Sequence, residues 1–394
     1  MSCDLFVFAG EKSADLHGEK LLLALRSQNP DLKIFGVGGP KMRSAGMDCI
    51  LPMEDFQVMG FIDVFCALPK LYRQFYLVAD EIQRLNPKAV ITIDYPGFNL
   101  RMAKHLRKKA FKGKLVHFIC PSVWAWGKKR IPLMAQNLDL LLSILPFEKQ
   151  IFADTPLRVA YLGHPLSERM KTYVYKKLTF PSDKKIIALF PGSRKKEIER
   201  NLRLQLDVCS ALLKKHPDFH IALSVSDEKF RPLIMEILKE KGWNNTQISL
   251  VPPDSSYELM KASHLAIAKS GTVTLELALH RVPTVVVYGV SFLDQIIAYD
   301  ILRIRLPFYC LVNIIAQKEV FPELIGPNFT FDQVKEKAEE LLKQPSRLKI
   351  QNACDAIIEQ LGGKETSKEA AVEILKLIQD VSPIDKKMIF EEFF

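Results

Sequence analysis

Three short stretches of this chain end apolar runs in residues that can do chemistry. In "LFPGSRKKEI", residues 189–198, the run stops at a Gly192-Ser193-Arg194 turn and opens straight into a charged helix. A strand, a small-residue turn and a helix aim unpaired backbone N–H groups, and the positive end of the helix dipole, at whatever lies above the sheet. That place suits a phosphate, and Arg194 adds a planar fork of donors for a pair of anionic oxygens. The plain alternative is an ordinary turn with a solvated arginine. "AKSGTVTLELAL", residues 268–279, repeats the pattern. The Ser270-Gly271-Thr272 turn offers backbone donors to a diphosphate, and Glu276, one turn into the helix, can accept two ribose hydroxyls. Two such turns in one half of the chain point to a nucleotide diphosphate held without a metal.

The third stretch is "ITIDYPGFN", residues 91–99, where Asp94 closes an apolar run. A half-buried carboxylate there has its pKa raised toward the range of a general base. Alternatively, Asp94 caps the helix beginning near Asn99 or braces the Tyr95-Pro96 turn. "AGEKSADLHG", residues 9–18, sets acidic residues and Ser13 at a helix start but has too few glycines for a dinucleotide fingerprint. Ser13 or Asp15 as a simple N-cap is the competing expectation. "GVGGPKM", residues 36–42, is a loop flexible enough for close backbone approach. "CPSVWAWGKKR", residues 120–130, places two tryptophans beside three basic residues. Their faces can stack on sugar or base rings, or simply pack a core.

The elements that must position these residues alternate along the chain. In the first half "DLFVFAG", "LKIFGVGG", "AVITIDYP", "KLVHFIC" and "LDLLLSIL" read as strands, with helical patterns between them. Around residues 162–183 the alternation weakens into a charged, Pro-bounded stretch that reads as a linker or cleft edge. It begins again with "KIIALFPG", "FHIALSV", "QISLVP", "HLAIAKS" and "VPTVVVYG", and three helix-like segments follow from Thr330. The expected fold is α/β, with two Rossmann-like domains facing across a cleft and ligands beyond the carboxyl ends of the strands. The expected boundaries are 1–165, 166–362 and a helical tail, 363–394, returning to the first domain or docking on a partner.

With 394 residues, two domains are the natural expectation. Hydrophobic residues at 48% and charged ones at 25% describe a folded chain, and a net charge of +10 implies an anionic partner: nucleic acid, a phosphorylated substrate or an acidic membrane surface. Seven scattered cysteines with no CxxC pair argue for a reducing compartment and against structural zinc. The start carries no secretion signal and no stretch is long enough to span a membrane, which leads to the expectation of a cytoplasmic protein. "VMGFIDVFCALPKLYRQFYLVADEI", residues 58–82, reads as a surface that dips into lipid headgroups or as a core helix pair. Basic "RMAKHLRKKAFKGK", residues 101–114, adds attraction to anionic lipid or is a solvated face.

Taken together, these stretches resemble the lipid-A-disaccharide synthase family, inverting glycosyltransferases of the two-Rossmann GT-B type. The likeness runs in order through "AGEKSAD", "GVGGPKM", "VMGFIDV", "IDYPGFN", "PSVWAW", "LPFEK", "GHP", "LFPGSRKKEI", "SGTVTLE" and "VNIIAQKEVFPELIG". It implies transfer of a 2,3-diacylglucosamine unit from its UDP derivative to the 6-hydroxyl of 2,3-diacylglucosamine 1-phosphate, with no metal and no cofactor. It implies Asp94 as the base. Gly192, Ser193, Arg194, Glu197, Ser270, Gly271, Thr272, Glu276 and Asn313 then become donor contacts, and Glu11 and Ser13 acceptor-side residues. It further implies peripheral attachment to the cytoplasmic face of the inner membrane, an oligomer as an option, and no nucleic-acid partner. The chain departs from the family pattern at Ala14, Gly97 and Gly326, the last removing a polar group near the donor. The rival readings are another UDP-sugar enzyme of the same fold, an epimerase or a peptidoglycan-precursor transferase, and more remotely a non-catalytic basic membrane- or nucleic-acid-binding protein.

Overall fold

Strands buried on both faces read as nearly continuous apolar runs, and this chain has two sets of them. The structure is a computed structural model and describes residues 3–56, 61–125, 127–180, 184–244, 247–290 and 306–379. It divides into two compact units, one formed by Met1–Glu168 with the segment beginning at Gly363, the other by Arg169–Gly362.

In the first unit the order is β1 (Leu5–Ala9), α1 (Lys12–Gln28), β2 (Ile34–Gly38), α2 (Pro40–Ser44), β3 (Asp48–Pro52), α3 (Phe61–Leu85), β4 (Ala89–Ile93), α4 (Pro96–Lys108), β5 (Lys114–Phe118), α5 (Arg130–Asn137), β6 (Leu140–Ser143), α6 (Glu148–Ile151) and β7 (Arg158–Tyr161). The strands make one seven-stranded sheet in the order β3-β2-β1-β4-β5-β6-β7. Every pairing in it is parallel. The order reverses between β1 and β4, where Ala9 lies opposite Ile93. Ligands of doubly wound sheets sit at such a reversal, beyond the carboxyl ends of the strands.

α7 (Pro165–Thr172) leads into the second unit: β8 (Lys185–Phe190), α8 (Lys195–Lys215), β9 (Phe219–Ser224), α9 (Arg231–Glu240), β10 (Ile248–Val251), α10 (Ser256–Ala262), β11 (Ser263–Lys269), α11 (Thr272–Leu279), β12 (Thr284–Tyr288), α12 (Leu311–Ala316), β13 (Glu323–Ile325), α13 (Phe331–Leu342) and α14 (Gln344–Leu361). Its six strands lie in the order β10-β9-β8-β11-β12-β13. They too are all parallel. The reversal here falls between β8 and β11, with Phe190 opposite Ala268.

α15 (Thr366–Gln379) belongs to the first unit and packs on α1. Ala370, Ala371, Ile374 and Leu375 join the core that contains Leu21, Leu22 and Leu25. Each buried Ile or Leu of that seam contributes about 1.5–3 kcal/mol relative to exposure.

Three strands, β3, β7 and β13, escape a reading based on apolar runs. β3 and β7 are half-exposed edges and β13 has only three residues, so each carries only a short apolar run. The stretch read as a linker is also more ordered than its charge suggests. After α7, Tyr173, Tyr175, Leu178 and Phe180 pack on the core of the second unit, and the Tyr173 hydroxyl bonds both carboxylate oxygens of Glu258. Residues 58–60, Trp126 and the terminal "MIFEEFF" lie outside the described residues.

Candidate functional site

The reversal point of the first sheet gathers carboxylates. Glu11 directly precedes α1, at the exit of β1, and Asp94 follows β4. Asp94 and Tyr95 both adopt left-handed backbone, φ 49° and 47°, which non-glycine residues rarely take. Two bonds hold that bend: the Asp94 N–H donates to Phe118 O at 2.9 Å, and Asn99 Nδ2 donates to Asp94 O at 2.6 Å. The backbone of Asp94 is thus braced, and the Tyr95 N–H bonds its carboxyl. Burial pushes the Asp94 carboxyl above the usual carboxylate range. Glu11 is raised as well, by burial first and then by the charge of Asp94. Ser13 sits exposed on the first turn of α1.

Asp15 caps a helix other than its own. Its carboxylate accepts from Gly39 N at 2.9 Å, Met42 N at 3.1 Å and Lys41 N at 3.2 Å, so it closes the start of α2. α1 itself has no side-chain cap. This explains "GVGGPKM": a Cβ on Gly39 would lie 2.4 Å from an Asp15 carboxylate oxygen.

The second reversal point holds a cavity of about 240 Å³ lined by Gly192, Ser193, Lys269, Gly271, Thr272 and Glu276, with Ser224, Ser256 and Met260 along its other wall. The two turns singled out in the sequence therefore meet there. Gly192 has φ +133°, and a Cβ on it would come within 2.6 Å of Glu197 Cβ, so the turn requires glycine. Glu197 serves that turn from within α8. Its Oε2 accepts from Ser193 N at 3.0 Å and its Oε1 pairs with Lys269 Nζ at 3.1 Å. Arg194 is not among the residues that line the cavity; its side chain is 81% exposed and its guanidinium lies 3.5 Å from Glu197.

In the other turn the Ser270 N–H is spent on Val287 O at 2.9 Å. The donors that open α11, at Gly271 and Thr272, are the ones the cavity meets. Glu276 accepts from the Tyr257 hydroxyl at 3.0 Å, and Arg169 approaches that hydroxyl at 3.4 Å. Burial raises the Glu276 carboxyl above its ordinary range, while Tyr257 and Arg169 pull it back toward the anion. Asn313 is not brought to this cavity. Its amide nitrogen donates to Phe321 O and Glu323 Oε1, both at 2.7 Å, and its oxygen accepts from Val320 N at 2.8 Å and Phe321 N at 2.9 Å. It ties the loop between α12 and β13.

Two groups escaped a reading by motif. Lys269, the last residue of β11, points into the cavity, although at a strand end it reads as a solvated lysine. Glu148, within "LPFEK", is 1% exposed and accepts from Leu145 N at 3.2 Å. Burial pushes its carboxyl up to about 8, against the neighbouring Trp124 and Cys120 side chains, which favour the anion. Gly97, where the family pattern has a carboxylate, is exposed with open space around its Cβ position. Gly326 has φ +59°, which glycine adopts without strain.

A family model described as lipid-A-disaccharide synthetase matches residues 5–377. The lipid-A-disaccharide synthase of Chlamydia trachomatis serovar D is 39% identical over 379 residues, 94% of this chain and 62% of that protein. That of Anaeromyxobacter dehalogenans is 34% identical over 342 residues, 86% of this chain and 88% of that protein. The chain thus spans about three fifths of the length of the chlamydial relative. Among solved structures, the calicheamicin glycosyltransferase superposes with a TM-score of 0.58 at 14% identity, covering 97% of this chain and 100% of that one, a likeness that carries the fold alone.

Proposed function

The chain belongs to the lipid-A-disaccharide synthetase family, and on that premise we propose that it joins UDP-2,3-diacylglucosamine to 2,3-diacylglucosamine 1-phosphate, giving the β-1,6 disaccharide 1-phosphate and UDP. The observation that carries this reading is the cavity where the "PGSR" and "SGT" turns meet, with Glu276 in its wall. The helix-opening N–H groups and Arg194 take the diphosphate, and Glu276 takes the ribose hydroxyls. The first unit is the acceptor side. There Asp94, in a setting that raises its pKa, accepts the proton of the attacking 6-hydroxyl as that oxygen bonds to the anomeric carbon. The C–O bond to the β-phosphate breaks with its electron pair going to the departing UDP, and one displacement inverts the centre. Glu11 and Ser13 face the acceptor. Glu197 and Asn313 support the donor side from behind, as braces of their loops.

Both substrates carry acyl chains, which supports attachment to the cytoplasmic face of the inner membrane. α3 buries Val78, Ala79 and Ile82 yet exposes Tyr72, Tyr76 and Leu77, and the exposed Arg101 and Lys104 lie on the neighbouring α4. Aromatic rings beside cations suit a headgroup layer. No described helix is long and apolar enough to cross a membrane.

The test is UDP release from UDP-2,3-diacylglucosamine by the purified chain, with and without acceptor, in detergent and EDTA. Release that needs the acceptor and survives EDTA supports the transferase. Release without acceptor favours a hydrolase or epimerase, and tight UDP binding with no release from this donor sinks the substrate assignment.

A further inference from the structure

We propose that Lys269 is a catalytic residue of the donor site, its ammonium group bonding the β-phosphate oxygen that gains charge as UDP departs. This rests on the reading that the cavity takes UDP. Lys269 lines the cavity with its side chain only 18% exposed, whereas Arg194, beside the same Glu197 but outside the lining, is 81% exposed. A charge largely removed from water is screened less and acts more strongly on a nearby anion.

The lysine is also held in position. Its Nζ pairs with Glu197 Oε1 at 3.1 Å and sits 4.7 Å from the centre of the Tyr288 ring. A Cβ placed on Gly271 would lie 3.9 Å from Nζ, so the ammonium group borders the turn whose N–H groups open α11. Glu197 is itself fixed by Ser193 N at 3.0 Å. One carboxylate thereby couples both turns to one cation. A donor fixed before the reaction, aimed where charge develops, stabilises the transition state without reorganising. Glu197 also keeps the lysine from swinging into solvent while the cavity is empty.

The experiment compares the full wild-type chain with Lys269→Met and Lys269→Arg. Calorimetric titration with UDP and with uridine is paired with single-turnover UDP release from the acylated donor in the presence of acceptor. Lys269→Met is expected to bind UDP about tenfold more weakly, to bind uridine as before, and to release UDP about 10²-fold more slowly. Lys269→Arg recovers part of both. Because Lys269→Met leaves Glu197 unpaired, Glu197→Gln/Lys269→Met is compared with Glu197→Gln, and the same 10²-fold deficit is expected even if the single methionine variant does not fold. A double variant as fast as Glu197→Gln, or a Lys269→Met chain within twofold of wild type in UDP affinity and rate, overturns the inference and leaves the lysine as a counter-ion for Glu197. A wild-type chain that does not bind UDP sinks the cavity reading and this inference together.

Discussion

The hydroxyl of Tyr257 lies 3.0 Å from Oε1 of Glu276, so the carboxylate assigned to the ribose is oriented by a donor from α10. Arg169, 3.4 Å from the same hydroxyl, extends the chain of donors. Burial alone would favour the neutral acid, and these two groups oppose it. The anion is the form that accepts two ribose hydroxyls.

Tyr257→Phe therefore raises the Glu276 pKa further and makes UDP binding more pH-dependent. Affinity falls as pH drops through that pKa, because protonation removes the acceptor. The variant loses affinity at a higher pH than wild type, with a deficit of about tenfold, in line with one hydrogen bond to a charged group. Titration calorimetry with UDP across pH 5 to 8.5 measures it. Coincident pH profiles would sever the link between the two side chains.

Asp94→Asn lowers turnover by about two to four powers of ten and leaves UDP affinity within about twofold, as loss of a general base requires. In the wild type the base works deprotonated, so activity falls as pH drops through a pKa raised above the ordinary aspartate range. A rate profile of kcat/KM against pH locates that limb. Near-normal turnover in Asp94→Asn would move the base to another residue, Glu11 first.

Asp15→Ala is a stability variant. It deprives three backbone N–H groups of their acceptor at once and uncaps α2, at a cost of about 2–4 kcal/mol. Denaturant unfolding shows the loss directly, and a change below about 0.5 kcal/mol would contradict the brace.

Glu148 gives the chain a pH-dependent weakness. Its folded pKa, about 8, lies above the unfolded value near 4.5, so between those limits the unfolded chain gives up a proton that the folded one keeps. Stability contributed by the neutral acid is present below about 4.5 and is lost as pH rises toward 8. Glu148→Gln keeps the neutral shape. It is expected to raise the melting temperature at pH 8 by about 3 °C and to make no gain near pH 4.5, as scanning calorimetry would record.

The strand-turn-helix at residues 189–198 was readable because an apolar run, a glycine turn and a charged helix each leave a local mark. Asp15 was not. Its position in the first turn of α1 suits a cap on that helix equally well, and only the pairing of β1 with β2 brings α2 within its reach. Lys269 was hidden for a related reason: a lysine at a strand end reads as solvated until Glu197, 72 positions earlier in the chain, is seen to hold it. Asn313 was read as a donor contact through the family resemblance alone, and no local mark in the sequence shows which partners its amide takes. All four of its bonds stay within its own loop region. Tyr173 and Tyr175 were obscured by the charges around them, since composition reports solubility while packing depends on where the rings land.

The return of α15 to α1 has a consequence for the order of synthesis. The second unit is an insertion in the first, entered after Glu168 and left at Gly363. A chain emerging from its N-terminus completes the inserted unit while the first still lacks Ala370, Ile374 and Leu375 from its core. Truncation before Thr366 thus leaves the later-numbered unit whole and strips the seam from the one that was begun first, so the unit translated earliest is the last to close.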